Sequence, residues 1–324
     1  MTSTGGLQVT SACSAAGIHT AILVESNHGM KFLFDIGVYE RSFCSVRDIF
    51  ISHGHSDHIG AVILHARAAR LQKGVPKYYV PAECAEALEQ ARIAFSALDG
   101  EDIPMQIVIL NPGSSVVIGN NRGKFRVMAV ATKHRVQSQG YAVFSITETK
   151  GGLLPEFSGL SGAEIGGLKK SGVQVTSPAT IEENLDLVYS GDTTFQGLVD
   201  CPQFLPGDIF KADIMIMECT YLDGPYDRAI EWEHVHIDDV VNHANLFEQT
   251  GCLILTHISI RYQPWSHAVK LISAALSPQL CEKTVVTLKE FGSKYVLSGL
   301  DSAQKLAARR RSRFGIDADW LASA

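Results

Sequence analysis

From Ile51 to Gly60 the chain reads Ile-Ser-His-Gly-His-Ser-Asp-His-Ile-Gly, which sets His53, His55, Asp57 and His58 within six positions. A solvated polar turn rarely concentrates metal-binding side chains so densely. The segment also follows the apolar stretch Asp48-Ile49-Phe50-Ile51, which reads as a strand. The pattern is that of a metal site. Four ligands this close cannot all reach one ion without crowding, but they divide into His53 with His55 and Asp57 with His58, so two ions are expected. Imidazole and carboxylate without thiolate suit Zn²⁺ or Mn²⁺ in an open catalytic site, whereas closed structural zinc sites are usually built from cysteine. A helix expected over residues 58–72 places the ligands at the carboxyl end of a sheet strand, where α/β sheets carry their ligand sites.

The rest of the chain supplies further candidates in the same setting. Phe34-Asp35-Ile36-Gly37 lies upstream; His134, Asp192 and His257 each follow an apolar run that reads as a strand, at 125–131, 185–189 and 252–255. Strand and helix alternate elsewhere: a hairpin over 20–25 and 31–36, a helix over 83–98, strands over 106–110 and 212–217, and helices over 238–248 and 266–276. An α/β fold of layered sheets with outer helices follows. The glycine-rich stretch 150–184 is expected to be an irregular surface insertion.

With 324 residues, 46% hydrophobic and 19% charged, the chain can bury one large core, and no Pro- or Ser-rich linker divides it. A single domain over 1–296 and a carboxyl-terminal extension over 297–324 are expected. Apolar runs are far shorter than a membrane span, and the amino-terminal stretch lacks a signal core or transit-peptide arginines. Seven cysteines, odd in number and without a C-x-x-C pair, point to a reducing compartment. Cytoplasmic location is expected, with nuclear location an alternative and secretion excluded.

His53, His55, Asp57 and His58 stand as the H-x-H-x-D-H signature of the metallo-β-lactamase superfamily, and the later marks keep its order. Within it the chain resembles the tRNase Z family, short form and nearest the plant type, from about residue 7 to residue 295. The residues carrying this are His134 with Ser138-Gln139-Gly140-Tyr141; Ser190-Gly191-Asp192-Thr193-Thr194; Glu218-Cys219-Thr220-Tyr221 followed by His234-Val235-His236; and Thr256-His257-Ile258-Ser259-Ile260-Arg261-Tyr262. Gly159-Leu160-Ser161-Gly162 and 168–173 match the plant short form. The resemblance implies a four-layered αβ/βα sandwich. It also implies an endoribonuclease that removes the 3′ trailer from precursor tRNA and leaves a 3′-hydroxyl.

By the same resemblance His53, His55 and His134 hold one ion, Asp57, His58 and His257 the other, and Asp192 bridges them. Two zinc ions per chain, with manganese an alternative, can bring a shared water toward neutral pKa and clamp the attacking and departing oxygens of a phosphodiester. Asp57 can hydrogen-bond that water and accept its proton. Asp35 reads as a residue orienting the ligand loop. The leaving ribose 3′-oxygen needs a proton. His236 is the expected donor, with Glu218 holding its tautomer, and His234 is its local competitor. Arg261 reads either as a phosphate contact or as half of a structural ion pair. His19, His28, His65, His243 and His267 are expected to be packing or surface residues, and Cys219 a buried filler.

A net charge of −6 sits awkwardly with a tRNA substrate, because phosphate contacts supply most non-specific affinity. Basic surface must be local: Lys169 and Lys170 in the insertion, and Lys305, Arg309, Arg310, Arg311 and Arg313 near the end, the last group also readable as a solvated extension or a nuclear-targeting run. The resemblance implies a homodimer. Two other readings remain: a hydrolase of the same fold acting on small phosphodiesters or lactones, and a non-catalytic RNA-binding member.

Overall fold

A computed structural model of the chain describes residues 6–290 and 293–296. The proposed terminal extension, its basic cluster and the helix suggested by 303–311 lie outside the described residues.

Two mixed sheets face each other. The first runs in order through β1 (Leu7–Ala15), β2 (His19–Ser26), β3 (Lys31–Phe34), β4 (Asp48–Phe50), β5 (Lys77–Val80) and β6 (Gln106–Ile109). Its first three strands are antiparallel and the remainder parallel. The second contains β7 (Ser115–Asn120), β8 (Gly123–Ala131), β9 (Gln139–Thr149), β10 (Thr180–Tyr189), β11 (Ile214–Glu218), β12 (Cys252–Thr256), β13 (Thr284–Glu290) and β14 (Ser293–Val296), in sequential order across the sheet. It repeats the scheme: an antiparallel meander through β10, then parallel pairing to β13. Helices in chain order are α1 (Ser56–Ile59), α2 (Val62–Leu71), α3 (Ala82–Asp99), α4 (Gly162–Lys170), α5 (Phe195–Val199), α6 (Tyr226–Trp232), α7 (Ile237–Asn242), α8 (Trp265–Ala275) and α9 (Pro278–Cys281).

The period-two alternation of a strand explains the layering. On β11, Ile214 and Ile216 join the core between the sheets, while Met215 and Met217 pack with Val240 of α7 and Ala268 and Ile272 of α8. β12 does the same with Cys252 and Ile254 against Leu253 and Leu255. Such strands, buried on both faces, read as continuous apolar runs. On the other side Leu23, Leu33, Ile49 and Tyr78 pack with Val62, Ala66 and Leu88 of α2 and α3. The result is helix, sheet, sheet, helix, the four-layered sandwich expected. Between the sheets, Phe34 stacks on Tyr189 at 4.9 Å and Phe50 on Tyr79 at 4.5 Å.

Three expectations change. The helix expected over 58–72 is two, because the 58–61 backbone is diverted to the segment after β3: Ile36 N–H donates to His58 O at 2.7 Å and Ala61 N–H to Ile36 O at 2.9 Å. That crossing needs Gly37, where a Cβ would lie 1.7 Å from the Asp57 carbonyl oxygen. The helix expected over 238–248 ends at Asn242 and continues as a 3₁₀ turn over Ala244–Phe247. The insertion is not wholly irregular: it carries α4, whose start is closed by a Ser161–Glu164 capping box. Among the described residues no helix is long and apolar enough to cross a membrane.

Candidate metal centre

Ligand-type residues from both sheets meet at the carboxyl ends of the strands. The loop after β4 carries His53 and His55, and α1 carries Asp57 and His58; His134, Asp192 and His257 follow β8, β10 and β12. Ligand atoms of His53, His55, His134 and Asp192 lie within 4.8 Å of one another, as do those of Asp57, His58 and His257. All seven expected ligands are therefore brought together, in the two expected sets. Asp192 Oδ2 sits between them, 3.8 Å from His53 Nε2, 4.0 Å from His134 Nε2 and 3.4 Å from Nε2 of both His58 and His257.

Four of the five ligand imidazoles are oriented by a bond on the far nitrogen, which fixes the tautomer that presents a lone pair inward. His58 Nδ1 donates to Asp35 Oδ2 at 2.7 Å, His134 Nδ1 to the Glu233 carbonyl at 3.1 Å, and His257 Nδ1 to Thr220 Oγ1 at 3.0 Å. His53 Nδ1 donates to Ser52 Oγ at 2.9 Å, and the Ser52 hydroxyl donates in turn to Asp35 Oδ2 at 2.8 Å. Asp35, fully buried, also accepts from Ser52 N–H at 2.7 Å and from the Tyr189 hydroxyl at 2.5 Å. Its expected orienting role is visible as one carboxylate serving both ligand-bearing sheets. Its backbone takes φ +54°, a left-handed value held by these bonds, and His257 takes φ +56°, pinned by its N–H to Ser14 Oγ at 2.9 Å.

These residues fit divalent cations. His134 Nε2 is buried without a hydrogen-bond partner, although its ring is held correctly by Glu233, and His53 Nε2 faces His55 Nδ1 at 2.9 Å with both lone pairs converging. Electrostatics agrees. Burial raises the Asp192 carboxyl, but His257 and His58 outweigh it and hold the group well below the usual range. Asp57 behaves likewise through His257 and His58. Burial and His58 lower His53, and burial and His134 lower His55. Burial also opposes charge on His58, yet Asp192 and Asp35 raise it well above its usual value, so a proton stands where a cation would be held.

The expected acid pair needs correction. Glu218, the buried last residue of β11, bonds His234 Nδ1 at 2.7 Å and makes no bond to His236. Two residues apart on an extended segment would share a face, but the chain turns into α7 at His236, whose Nδ1 caps that helix by accepting from Asp238 N–H at 3.1 Å. The ring thus points along the helix, and its buried Nε2 has no hydrogen-bond partner. His234 lies at the centre instead, 4.9 Å from the His134 ring and 5.4 Å from the His257 ring, and its ligand atom clusters with those of Asp192 and His257. Burial opposes its charge, but Glu218 prevails and pushes it up to about 9. Glu218 is a hub as well: it accepts from Thr193 N–H at 2.9 Å and from the Thr220 hydroxyl at 2.7 Å, which links it to His257.

Ser52, Thr220 and the Glu233 carbonyl are the contributors that sequence reasoning missed; the first two stand beside ligand motifs, but a backbone carbonyl leaves no residue signal. Arg261 stacks over Tyr221 and Tyr262, 4.6 Å from each ring centre, donates to Tyr262 Oη and, at 3.2 Å, to the Asp223 carbonyl, and pairs with Asp223 Oδ1 at 3.6 Å. Lys169 and Lys170 lie exposed on the last turn of α4. His19, His28, His65, His243 and His267 stay outside the ligand clusters, and His65 is held between Tyr78 Oη and the Phe43 carbonyl. Cys219 is buried, and burial pushes its thiol up.

Residues 38–152 match the family model of the beta-lactamase superfamily domain. The chain is 36% identical over 267 residues to tRNase Z TRZ1 of Arabidopsis thaliana, covering 82% of this chain and 88% of that one. Solved structures share the fold: YhfI, a metallo-beta-lactamase fold protein of Bacillus subtilis (TM-score 0.55, 16% identity, 90% of this chain and 98% of that one), and the short form of human tRNase Z (TM-score 0.50, 18% identity, 79% and 93%).

Proposed function

This chain belongs to the tRNase Z family of metal-dependent endoribonucleases, and from that premise we propose that it removes the 3′ trailer of precursor tRNA using two divalent cations, zinc or manganese. The observation that carries this reading is the convergence of seven ligand side chains around Asp192 Oδ2, with the Glu218–His234 pair beside it.

His53, His55 and His134 would hold one cation and Asp57, His58 and His257 the other, with Asp192 shared. Bound there, the pair supplies a water activated near neutral pH and a clamp for the phosphodiester. Asp57, whose carboxyl His257 and His58 hold below the usual range, accepts a hydrogen bond from that water and orients it. His234 gives its Nε2 proton to the departing ribose 3′-oxygen, since Nδ1 is committed to Glu218, and Glu218 stabilises the charged ring beforehand. Thr220 couples Glu218 to His257, keeping the acid and the ligand cage in register. Lys169 and Lys170 offer the insertion's local positive charge to tRNA phosphates.

A homodimer completes the reading. Leu64 and Leu71 lie seven residues apart on α2, Phe95 and Leu98 three apart on α3, and all four are exposed, Leu71 at 79% and Leu98 at 82%. Such a paired apolar face favours self-association. Cytoplasmic location is supported by seven cysteines, odd in number and without a C-x-x-C pair. The test is to incubate the zinc-loaded protein with a 3′-extended tRNA transcript and map the products. A cut after the discriminator base leaving a 3′-hydroxyl is expected; a 3′-phosphate, or an intact transcript, would overturn the proposal.

A further inference from the structure

Directly after the ligand His134, the guanidinium of Arg135 lies over the indole of Trp232, 4.5 Å from the ring centre. Both side chains are at the surface, Trp232 45% exposed. Two contacts fix this pair beside the metal centre. His134 donates to the carbonyl of Glu233, the residue after Trp232, and the His134 and His234 rings lie 4.9 Å apart. The pair therefore sits beside the centre, Arg135 one residue from His134 and Trp232 two residues from His234. Among the described residues Arg135 makes no salt bridge, and its guanidinium rests on the ring.

Resting on the tRNA-processing reading, we propose that Trp232 and Arg135 form a stacking subsite for the nucleobase whose ribose carries the leaving 3′-oxygen. An exposed indole beside a fixed arginine offers what an unpaired base needs: an aromatic face, and a planar cation to extend the stack or meet the adjoining phosphate. The flanking Glu231 and Glu233 decide between ligands. Adjacent in the chain, they add negative charge on either side of Trp232, which weighs against a bare phosphate and not against an uncharged base. The occupant is placed by the acid: His234, two residues from Trp232, reaches the 3′-oxygen of the retained nucleotide, so that nucleotide's base is the one within reach of the shelf. Stacking is sequence-tolerant, which suits a position where tRNAs differ.

The test uses intrinsic tryptophan emission of the zinc-loaded full chain, titrated with an acceptor-stem hairpin that ends at the discriminator nucleotide and so needs no cleavage. Emission should be quenched by this hairpin and scarcely by one with an abasic residue at that end, and Trp232→Ala should abolish the difference. In parallel, Trp232→Ala should lower kcat/KM on a 3′-extended substrate about tenfold or more, and Trp232→Phe should restore most of it, with zinc content unchanged. On a substrate abasic at the discriminator the loss should nearly vanish. Equal quenching by both hairpins, or equal losses on both substrates, overturns the subsite. Failure of the wild type to cut the extended transcript, with base-dependent quenching intact, overturns the tRNA-processing reading and leaves the base subsite standing.

Discussion

At the residue scale, the contrast between His234 and His236 separates what a motif reveals from what a turn decides. His234→Ala should keep both metal ions and lose about 10²–10⁴-fold in cleavage, with a much smaller defect on a nitrophenyl phosphodiester, whose leaving group needs no proton. His236→Ala removes a helix cap and should lower stability by about 1 kcal/mol with a cleavage loss under about tenfold, read from thermal denaturation beside activity. Comparable rate losses in the two variants would defeat this division. The pH profile supplies a second check. An acid works while protonated, so activity should fall as pH rises through the His234 value, which Glu218 draws upward. Glu218→Gln withdraws the upward pull and leaves burial, which acts downward, so the falling limb should shift to lower pH and the variant should be relatively worse at pH 8 than at pH 6. Superimposable profiles would mean that Glu218 only positions. The seven ligands were legible because they lie in short motifs after apolar runs. The partner of Glu218 was left between His234 and His236, because it depends on where an extended segment becomes a helix.

Elements show the same limit in another form. Strand positions could be read from apolar runs, and β12 lies at 252–256 as its composition suggests. The break between α1 and α2 could not, since it depends on Ile36, a residue more than twenty positions earlier, which takes the backbone partners that one long helix would have used. In the insertion the reverse holds: Ser161 and Glu164 at capping-box spacing announce α4 locally, but the surrounding glycines obscured them. The helices α2 and α3 carry the prediction that belongs to this scale. If their exposed leucines form the homodimer face, the double substitution Leu71→Lys and Leu98→Lys should yield a monomer by sedimentation while far-ultraviolet circular dichroism is unchanged, because neither side chain belongs to the core. A persistent dimer would place the interface elsewhere, and a monomeric wild type would remove it.

For the molecule as a whole, the metal centre is also a seam. Sheet one contributes His53, His55, Asp57 and His58, and sheet two contributes His134, Asp192 and His257, so cations bound there hold the two halves at one edge. The protein has its own ties across that edge, among them Tyr189 to Asp35, Tyr141 Oη to the Ile51 carbonyl at 2.6 Å, Gln139 N–H to the Ser52 carbonyl at 3.0 Å and His257 N–H to Ser14 Oγ at 2.9 Å. Each half also packs its own helices, in cores that do not include the ligands. Chelation should therefore leave the fold intact but lower its melting temperature, since a ligand bound only by the native state stabilises it by about 2.7 kcal/mol at a hundred times its dissociation constant. Metal analysis before chelation should find about two ions per chain. Amide exchange should quicken in the loops at 51–58, 132–138, 190–194 and 257–260 on both sheets together, while β11 and β12 stay protected. Quickening confined to one sheet would mean that its ligands bind an ion alone, and Asp192→Ala would then leave one equivalent bound instead of loosening both loops at once.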